Sequence, residues 1–397
     1  MSLAVKNGLA FINGAFIERD ILIEDGVIAA VGHDLKGDEN ISAQGMLVLP
    51  GLIDPHVHLR EPGDTYKEDF VTGSRAAIAG GFTTVMDMPN NAVPTVTKAR
   101  YEEKIRLARG KALCDVFFHF GGTDENFLEV KKADPPSLKL YLGKTTGMLL
   151  LRDPRSMERH FANFQKERPV VLHACDHSEH ETENLQKTYA TIENAVSVAQ
   201  RMRRRIHLAH ASTAQEVWLA KRYGRCTVET APHYLFLSTK DLKRLGKFYK
   251  VYPPLRSEEE RKVLWGALDR VDCIATDHAP HTPEDKENGA AGFPGLETSL
   301  ALMLDACDKG LLDRVWVLRM MCENPAATFN LKGRGRIEKG YSGDIALVDH
   351  KKIWKVDGTE LQTKCKWSPF EGKELKGRTH SVIKGGALIY QEYQFIK

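Results

Sequence analysis

A (β/α)8 barrel of the α/β class, carrying a small β-sandwich domain built from both chain termini, is the fold this sequence predicts. Three observations point to it. Eight short apolar runs alternate with helix-patterned stretches through the middle of the chain. Strand-like alternation broken by Asn-Gly, Asp-Gly and Gly-Gly turns occupies both ends. Histidines and acids gather at the C-terminal ends of the apolar runs, where a barrel keeps its chemistry.

From the N-terminus, residues 4–49 read as short strands, with Asn13-Gly14 and Asp25-Gly26 placed as hairpin turns. The texture returns after residue 333: Gly340, Gly343 and Asp344 lead into IALVDH, and VIKGGALIY carries a Gly385-Gly386 turn. The economical reading is one composite β-sandwich domain from residues 1–50 and 333–397, with a catalytic barrel at 51–332 inserted between them. Within the insert the apolar runs are GLIDPHVH (51–58), FTTVMDM (82–88), VFFHFG (116–121), SLKLYL (137–142), PVVLHA (169–174), IHLAHA (206–211), TVETAP (227–232) and DCIATDH (272–278). Helical patterns such as YEEKIRLARG, AQEVWLAKRYG and GLETSLALMLDACDKG lie between or after them. An open doubly wound sheet is the alternative, but no GxGxxG turn follows the first run.

Composition narrows the function. With 56 basic and 53 acidic residues in 397, the formal charge is +3, which gives no strong pull toward nucleic acid or membrane. The densest basic run, Arg201 to Arg205 around Met202, reads as the solvated end of a helix. Seven scattered cysteines without a CxxC pair suit a reduced, cytoplasmic protein. The N-terminus lacks a long apolar core, and no stretch approaches the ~18 apolar residues of a spanning helix.

The edge formed by the ends of the runs is read in order. The first ends in His56 and His58, and the second in Asp87, running on to Asn90. Lys139 interrupts the fourth, His173 lies in the fifth, His210 in the sixth and Glu229 in the seventh. The eighth ends in Asp277, with His278 and His281 beyond. Residues i and i+2 of a strand share a face, so His56 and His58 can enter the barrel mouth together and bind one metal. A lone strand histidine is commonly a satisfied core residue; four histidines and an aspartate, each at the same end of its strand, point to metal. Imidazole with carboxylate suits Zn²⁺, and Mn²⁺, Co²⁺ and Fe²⁺ fit as well.

A buried lysine ammonium beside metals would be opposed by desolvation and charge repulsion. A neutral amine can instead add CO₂, turning Lys139 into a carboxylate-like carbamate able to bridge two ions. Such a pair activates a bridging water and polarises a carbonyl. Asp277 can take the water's proton and give it to a leaving nitrogen. That chemistry is hydrolysis of an amide, or its reverse.

At this point HVHLREPG, DMPNN, KLYLGKTTG, LHACDH, HLAHAS, ETAPHYL, ATDHAPHTPEDK and GFPGLETSL together resemble the dihydroorotases of the amidohydrolase superfamily, in the lysine-carbamate class, in order over about 51–300. The resemblance implies reversible cyclisation of N-carbamoyl-L-aspartate to L-dihydroorotate in pyrimidine synthesis. It implies His56, His58, Lys139 and Asp277 as ligands of one metal, and Lys139, His173 and His210 as ligands of the other. Asp277 corresponds to the general acid/base. Arg60 and Asn90 correspond to the groups that hold the substrate's α-carboxylate, and Arg60 also shares the strand face of His58 and offers a planar fork. His281 corresponds to a third substrate contact, and Ala291 and Gly292 to backbone that meets the pyrimidine ring. Thr145 and Thr146 fall on a loop that closes over substrate in the family.

Two departures stand out. Tyr252 in KVYPPLR occupies a position that is often Asn or Arg in the family. Ala209 replaces a cysteine that some relatives associate with a third zinc, which leaves Glu229 the role of orienting a ligand. Dihydropyrimidinases and allantoinases share the barrel, metals and lysine, but Arg60 and Asn90 favour a carboxylated ring. A metal-free barrel serving as scaffold for a transcarbamoylase would lack ligands that are all present here. The expected partner is a small-molecule substrate, with no nucleic acid or membrane; the family adds a homodimer and association with aspartate transcarbamoylase as further expectations.

Overall fold

The computed structural model describes residues 2–143, 149–176 and 181–396. It begins with β1 (Ser2–Ile12), β2 (Ala15–Glu24) and β3 (Val27–Gly32), followed by β4 (Glu39–Ser42) and β5 (Leu47–Pro50). Asn13, Gly14, Asp25 and Gly26 have φ of 49°, 76°, 50° and 81°. That is the backbone a type I′ hairpin demands, and it is why these dipeptides join β1 to β2 and β2 to β3.

The parallel part follows as β6 (Leu52–Val57), β7 (Phe82–Asp87), β8 (Asp115–Phe118), β9 (Phe120–Gly121), β10 (Leu138–Tyr141), β11 (Val170–His173), β12 (Ile206–Leu208), β13 (Cys226–Thr230) and β14 (Cys273–Ile274). Two parallel sheets result, β6-β7-β8 and β9 through β14. Only His119 separates β8 from β9. Its buried ring lies with Nε2 2.9 Å from the Pro55 carbonyl and Nδ1 2.6 Å from the Ser137 hydroxyl. At the other seam an isolated parallel bridge pairs Val57 with His278. Every residue of β6, β7, β10 and β11 is buried, as in parallel strands covered on both faces.

Helices between the strands start where the sequence supplies caps. Asp69 accepts from Thr72 N at the head of the helix Phe70–Ala79, Thr97 from Arg100 N before Lys98–Ala108, and Thr213 from Glu216 N before Ala214–Ala220. The basic run at 201–205 falls at a helix end, with Arg201 and Arg203 exposed as expected, but one of its arginines departs from that reading. The helix stops at Met202, and Arg204 is buried, its guanidinium donating to the carbonyls of Phe164, Gln165 and Arg168. The guanidinium fork thus serves three carbonyls of the turn that links the helix to the next strand, one of which, Gln165 O, also accepts from Arg168 N.

After the parallel part come β15 (Ile345–Lys355), β16 (Glu374–Lys384), β17 (Ala387–Gln391) and β18 (Gln394–Phe395). β15 pairs antiparallel with β5, so both ends of the chain share one nine-stranded ladder, β18-β17-β16-β15-β5-β1-β2-β3 with β4 on β1. A separate apolar core, including Val5, Ile21, Ile23, Val48, Ile345 and Ile383, sits under this sheet. All seven cysteines are free thiols, six of them buried.

Candidate active site

A cavity of about 50 Å³ opens over the C-terminal ends of the parallel strands. His56 and His58, two residues apart on β6 and just beyond it, both enter it, with ring centroids 5.4 Å apart. Their Nε2 atoms lie 3.4 and 3.1 Å from Asp277 Oδ1. Ligand atoms of His56, His58 and Asp277 fall within 4.8 Å of one another, close enough to share one ion. Beside them, His173 Nδ1 is 2.8 Å from His210 Nε2, and the His210 ring is 5.3 Å from that of His56. Lys139 reaches the same cavity from the middle of β10; it is 1% exposed, and its Nζ has no hydrogen-bond partner.

The electrostatics follow from burial among opposed charges. Burial pushes the His58 imidazolium down to about 4 and holds that of His210 well below its usual value, so both rings are neutral and free to offer a lone pair. Burial pushes the Asp277 carboxyl up, but the adjacent His56 and His58 imidazoles outweigh it and its pKa falls below the carboxylate range. Burial lowers the Lys139 ammonium to about 8, against the pull of Glu229 and Asp277. The donor set fits a divalent pair: neutral imidazoles, an ionised carboxylate, an unpartnered buried His210 Nδ1 and a buried amine that no counter-ion contacts.

A surrounding layer fixes these groups. Glu229 on β13 contacts His56 Nδ1 and lies 3.0 Å from His207 Nε2, and it accepts from His210 N at 3.2 Å. It therefore turns the His56 Nε2 toward Asp277. The sequence signal was the acid at the matching strand end. Asp54 gave no such signal. It is buried on β6, accepts from His56 N and from the amide and hydroxyl of Thr276, and so ties the first strand to the segment carrying Asp277. Arg60, His210 and Asp277 all hold positive φ (65°, 40° and 47°), a strained geometry for non-glycine residues that concentrates at sites where side-chain aim matters.

Arg60 and Asn90 line the same cavity, as do Tyr252 and the backbone at Ala291 and Gly292. Asn90 Oδ1 is buried without a partner. Asp87 turns away: it accepts from Leu59 N at 2.7 Å and pairs at 2.6 Å with the buried Lys104, which also donates to Met88 O and Asn91 Oδ1. His281 is set behind the wall, with Nε2 3.0 Å from Arg60 Nη2 and from Ala291 O. His278 turns out of the cavity, accepting from Gly295 N and lying 3.4 Å from Glu68. Thr145 and Thr146 lie outside the described residues. Tyr141, two residues after Lys139, also lines the cavity and was not anticipated.

Parallel strands joined by helices, a β-rich sheet from both termini and a His-His-Asp group in the cavity define a metal-dependent amidohydrolase. Residues 47–389 match the Amidohydrolase family, and the chain belongs to it. Its curated relatives give the branch. The chain is 36% identical to "Dihydroorotase" of Thermococcus kodakarensis over 99% of its own length and 96% of that protein, and 37% identical to "Dihydroorotase" of Pyrococcus abyssi over 97% and 94%. It is also 36% identical to the "Multifunctional protein CAD" of Squalus acanthias, over 90% of this chain but 16% of that protein. Among solved structures, L-hydantoinase (dihydropyrimidinase) from Arthrobacter aurescens aligns over 100% of this chain and 97% of its own, with TM-score 0.93 and 26% identity. No helix among the described residues is long and apolar enough to cross a membrane.

Proposed function

We propose that this chain is a dihydroorotase, catalysing the reversible cyclisation of N-carbamoyl-L-aspartate to L-dihydroorotate in pyrimidine synthesis. The observation that carries the proposal is the placement of Arg60 and Asn90 in the same cavity as His56, His58 and Asp277: a group for a substrate carboxylate beside a group for amide hydrolysis. The likeness to dihydroorotases over nearly the whole chain supports it.

His56, His58, Lys139 and Asp277 would hold one divalent ion, and Lys139, His173 and His210 the other, with Lys139 as its carbamate. Zn²⁺ best suits this donor set. When bound, such a pair supplies Lewis-acid polarisation of a carbonyl and a water that ionises near neutral pH. The chain's own residues do the rest. Arg60 binds the α-carboxylate through its guanidinium fork, and Asn90 adds an amide donor on the same side. His281, kept neutral by burial and the Arg60 cation at about 2, steadies that guanidinium. In the hydrolytic direction Asp277 takes a proton from the attacking water, the C–N bond of the ring amide breaks, and Asp277 returns the proton to the leaving nitrogen. Cyclisation reverses these steps and consumes one proton overall.

The finer architecture belongs to the same reading. The Val57–His278 bridge and the continuity of β8 with β9 through His119 support closure of the strands into an eight-membered barrel over 51–332, with 1–50 and 333–397 as the β-domain. The match to a multifunctional protein supports work beside a partner enzyme, with aspartate transcarbamoylase as the candidate, and a homodimer is the proposed assembly.

A second reading, hydrolysis of hydantoins or dihydropyrimidines, draws on the L-hydantoinase likeness, and allantoin extends it. Turnover of L-dihydroorotate, hydantoin and allantoin on zinc-loaded protein separates the two. The proposal expects turnover of L-dihydroorotate, reduced by about 10²-fold or more in Asp277→Asn. Activity on hydantoin or allantoin alone would overturn it.

A further inference from the structure

The geometry points to Lys286 as a positioning residue that sets the wall of the cavity against which the substrate ring lies. Its side chain is fully buried. Its Nζ donates to three backbone carbonyls, Lys250 O at 2.6 Å, Ala290 O at 2.9 Å and Gly292 O at 3.0 Å. An ammonium carries three protons, so the count is complete; a neutral amine would leave one carbonyl unserved. The remaining sides face aromatic rings, with Nζ 5.2 Å from the centroid of Phe293 and 5.6 Å from that of Trp367.

What this cation joins gives it a role. Lys250 directly precedes Val251 and Tyr252, and Ala290 and Gly292 bracket Ala291; Val251, Tyr252, Ala291 and Gly292 all line the cavity. The two segments come from different connections of the fold. They touch through Gly292 N donating to Lys250 O at 3.0 Å, the same carbonyl that accepts from Lys286. Trp367, from the C-terminal part of the chain, covers the cation and donates Nε1–H to His281 O at 2.7 Å. His281 Nε2 in turn contacts both Arg60 and Ala291 O. Lys286 thus holds in register the carbonyl-rich strip beside the ring and the backbone that carries the Arg60 contact, without entering the cavity itself.

Gly292 supports the same account. It holds φ 143°, and a Cβ there would stand 2.5 Å from Ala279 O. The strip is therefore packed by close backbone approach to Ala279.

This inference rests on the dihydroorotase reading for its kinetic arm and carries a second arm that does not. Lys286→Met keeps the apolar stem and removes the donors; Lys286→Ala leaves room for a small alkylammonium ion. With L-dihydroorotate, Lys286→Met is expected to raise KM by about 10-fold, the equivalent of ~1.4 kcal/mol, while kcat and zinc content stay near wild type. In Lys286→Ala, added propylammonium is expected to lower KM again, whereas tetramethylammonium, which has no N–H, does not. Independently of turnover, amide hydrogen exchange in 288–293 and 249–253 is expected to quicken in Lys286→Met with β10 to β12 unchanged. Unchanged exchange in those segments would overturn the proposal, as would equal losses of kcat and zinc with KM unmoved. If wild type failed to turn over dihydroorotate, the function reading would fail, and the exchange arm would still decide the role of Lys286.

Discussion

Glu229 shows how much one side chain does at this site. It contacts Nδ1 of His56, stands 3.0 Å from His207 and accepts the amide of His210, so it fixes the tautomer of one histidine and the backbone of another. Glu229→Gln keeps the shape and removes the charge that favours the Nδ1 proton. It is expected to weaken zinc affinity by about 10- to 100-fold, read by competition with a chelating dye; unaltered affinity would deny Glu229 an orienting role. This residue was legible because strand alternation puts an acid at the seventh strand end beside the histidines. Asp54 was not. Its partner Thr276 lies 222 residues away, and local pattern carries no trace of so distant a hydrogen bond.

At the level of elements, the Asp87–Lys104 pair joins the end of β7 to the helix Lys98–Ala108. Both side chains are fully buried, and Asp87 also accepts from Leu59 N. Removing the cation leaves a buried carboxylate without its counter-ion, so Lys104→Met is expected to cost about 3–5 kcal/mol in unfolding free energy, measured by urea titration. A cost below ~1 kcal/mol would mean that Asp87 is protonated or hydrated instead. Each of the eight runs contains a strand because parallel strands are mostly apolar, but the sixth and eighth shorten to Ile206–Leu208 and Cys273–Ile274, their polar ends lying beyond the ladder. Of the basic run at 201–205, Arg201 and Arg203 are exposed at the helix end as read, but Arg204 was misread because a guanidinium can serve buried carbonyls, and composition alone does not distinguish that use from solvation. Asp87 itself was seen at a strand end, but its outward turn was not, since the lysine that draws it lies on a helix.

At the scale of the molecule, the terminal sheet and the parallel part are stitched by acids. Glu297, in the first turn of the helix Leu296–Asp308, accepts from Gln362 N and Thr363 N. Glu68 accepts from the Thr363 hydroxyl. Burial, with Glu68 nearby, pushes the Glu297 carboxyl up from 4.5 to about 7. The native state then keeps a proton that the unfolded chain has released, so the stability this group contributes is complete below pH 4.5 and is lost as pH rises through about 7. Urea midpoints from pH 5 to 8 are expected to fall less steeply in Glu297→Gln than in wild type; parallel curves would exclude Glu297 as a source of the slope. The two β-rich ends were legible from their Gly-containing turns, and pairing of β15 with β5 makes them one sheet. The acids between the parts were not legible, because neither side's sequence announces the other.

The reading as a whole turns on Lys139, buried and without a partner among histidines and acids. The most direct test is an anomalous X-ray map of zinc-loaded, catalytically active crystals grown with bicarbonate. The account predicts two metal peaks flanking a carboxylated Lys139, one beside His56, His58 and Asp277 and the other beside His173 and His210. An unmodified amine with no metal in the cavity of active protein would contradict it.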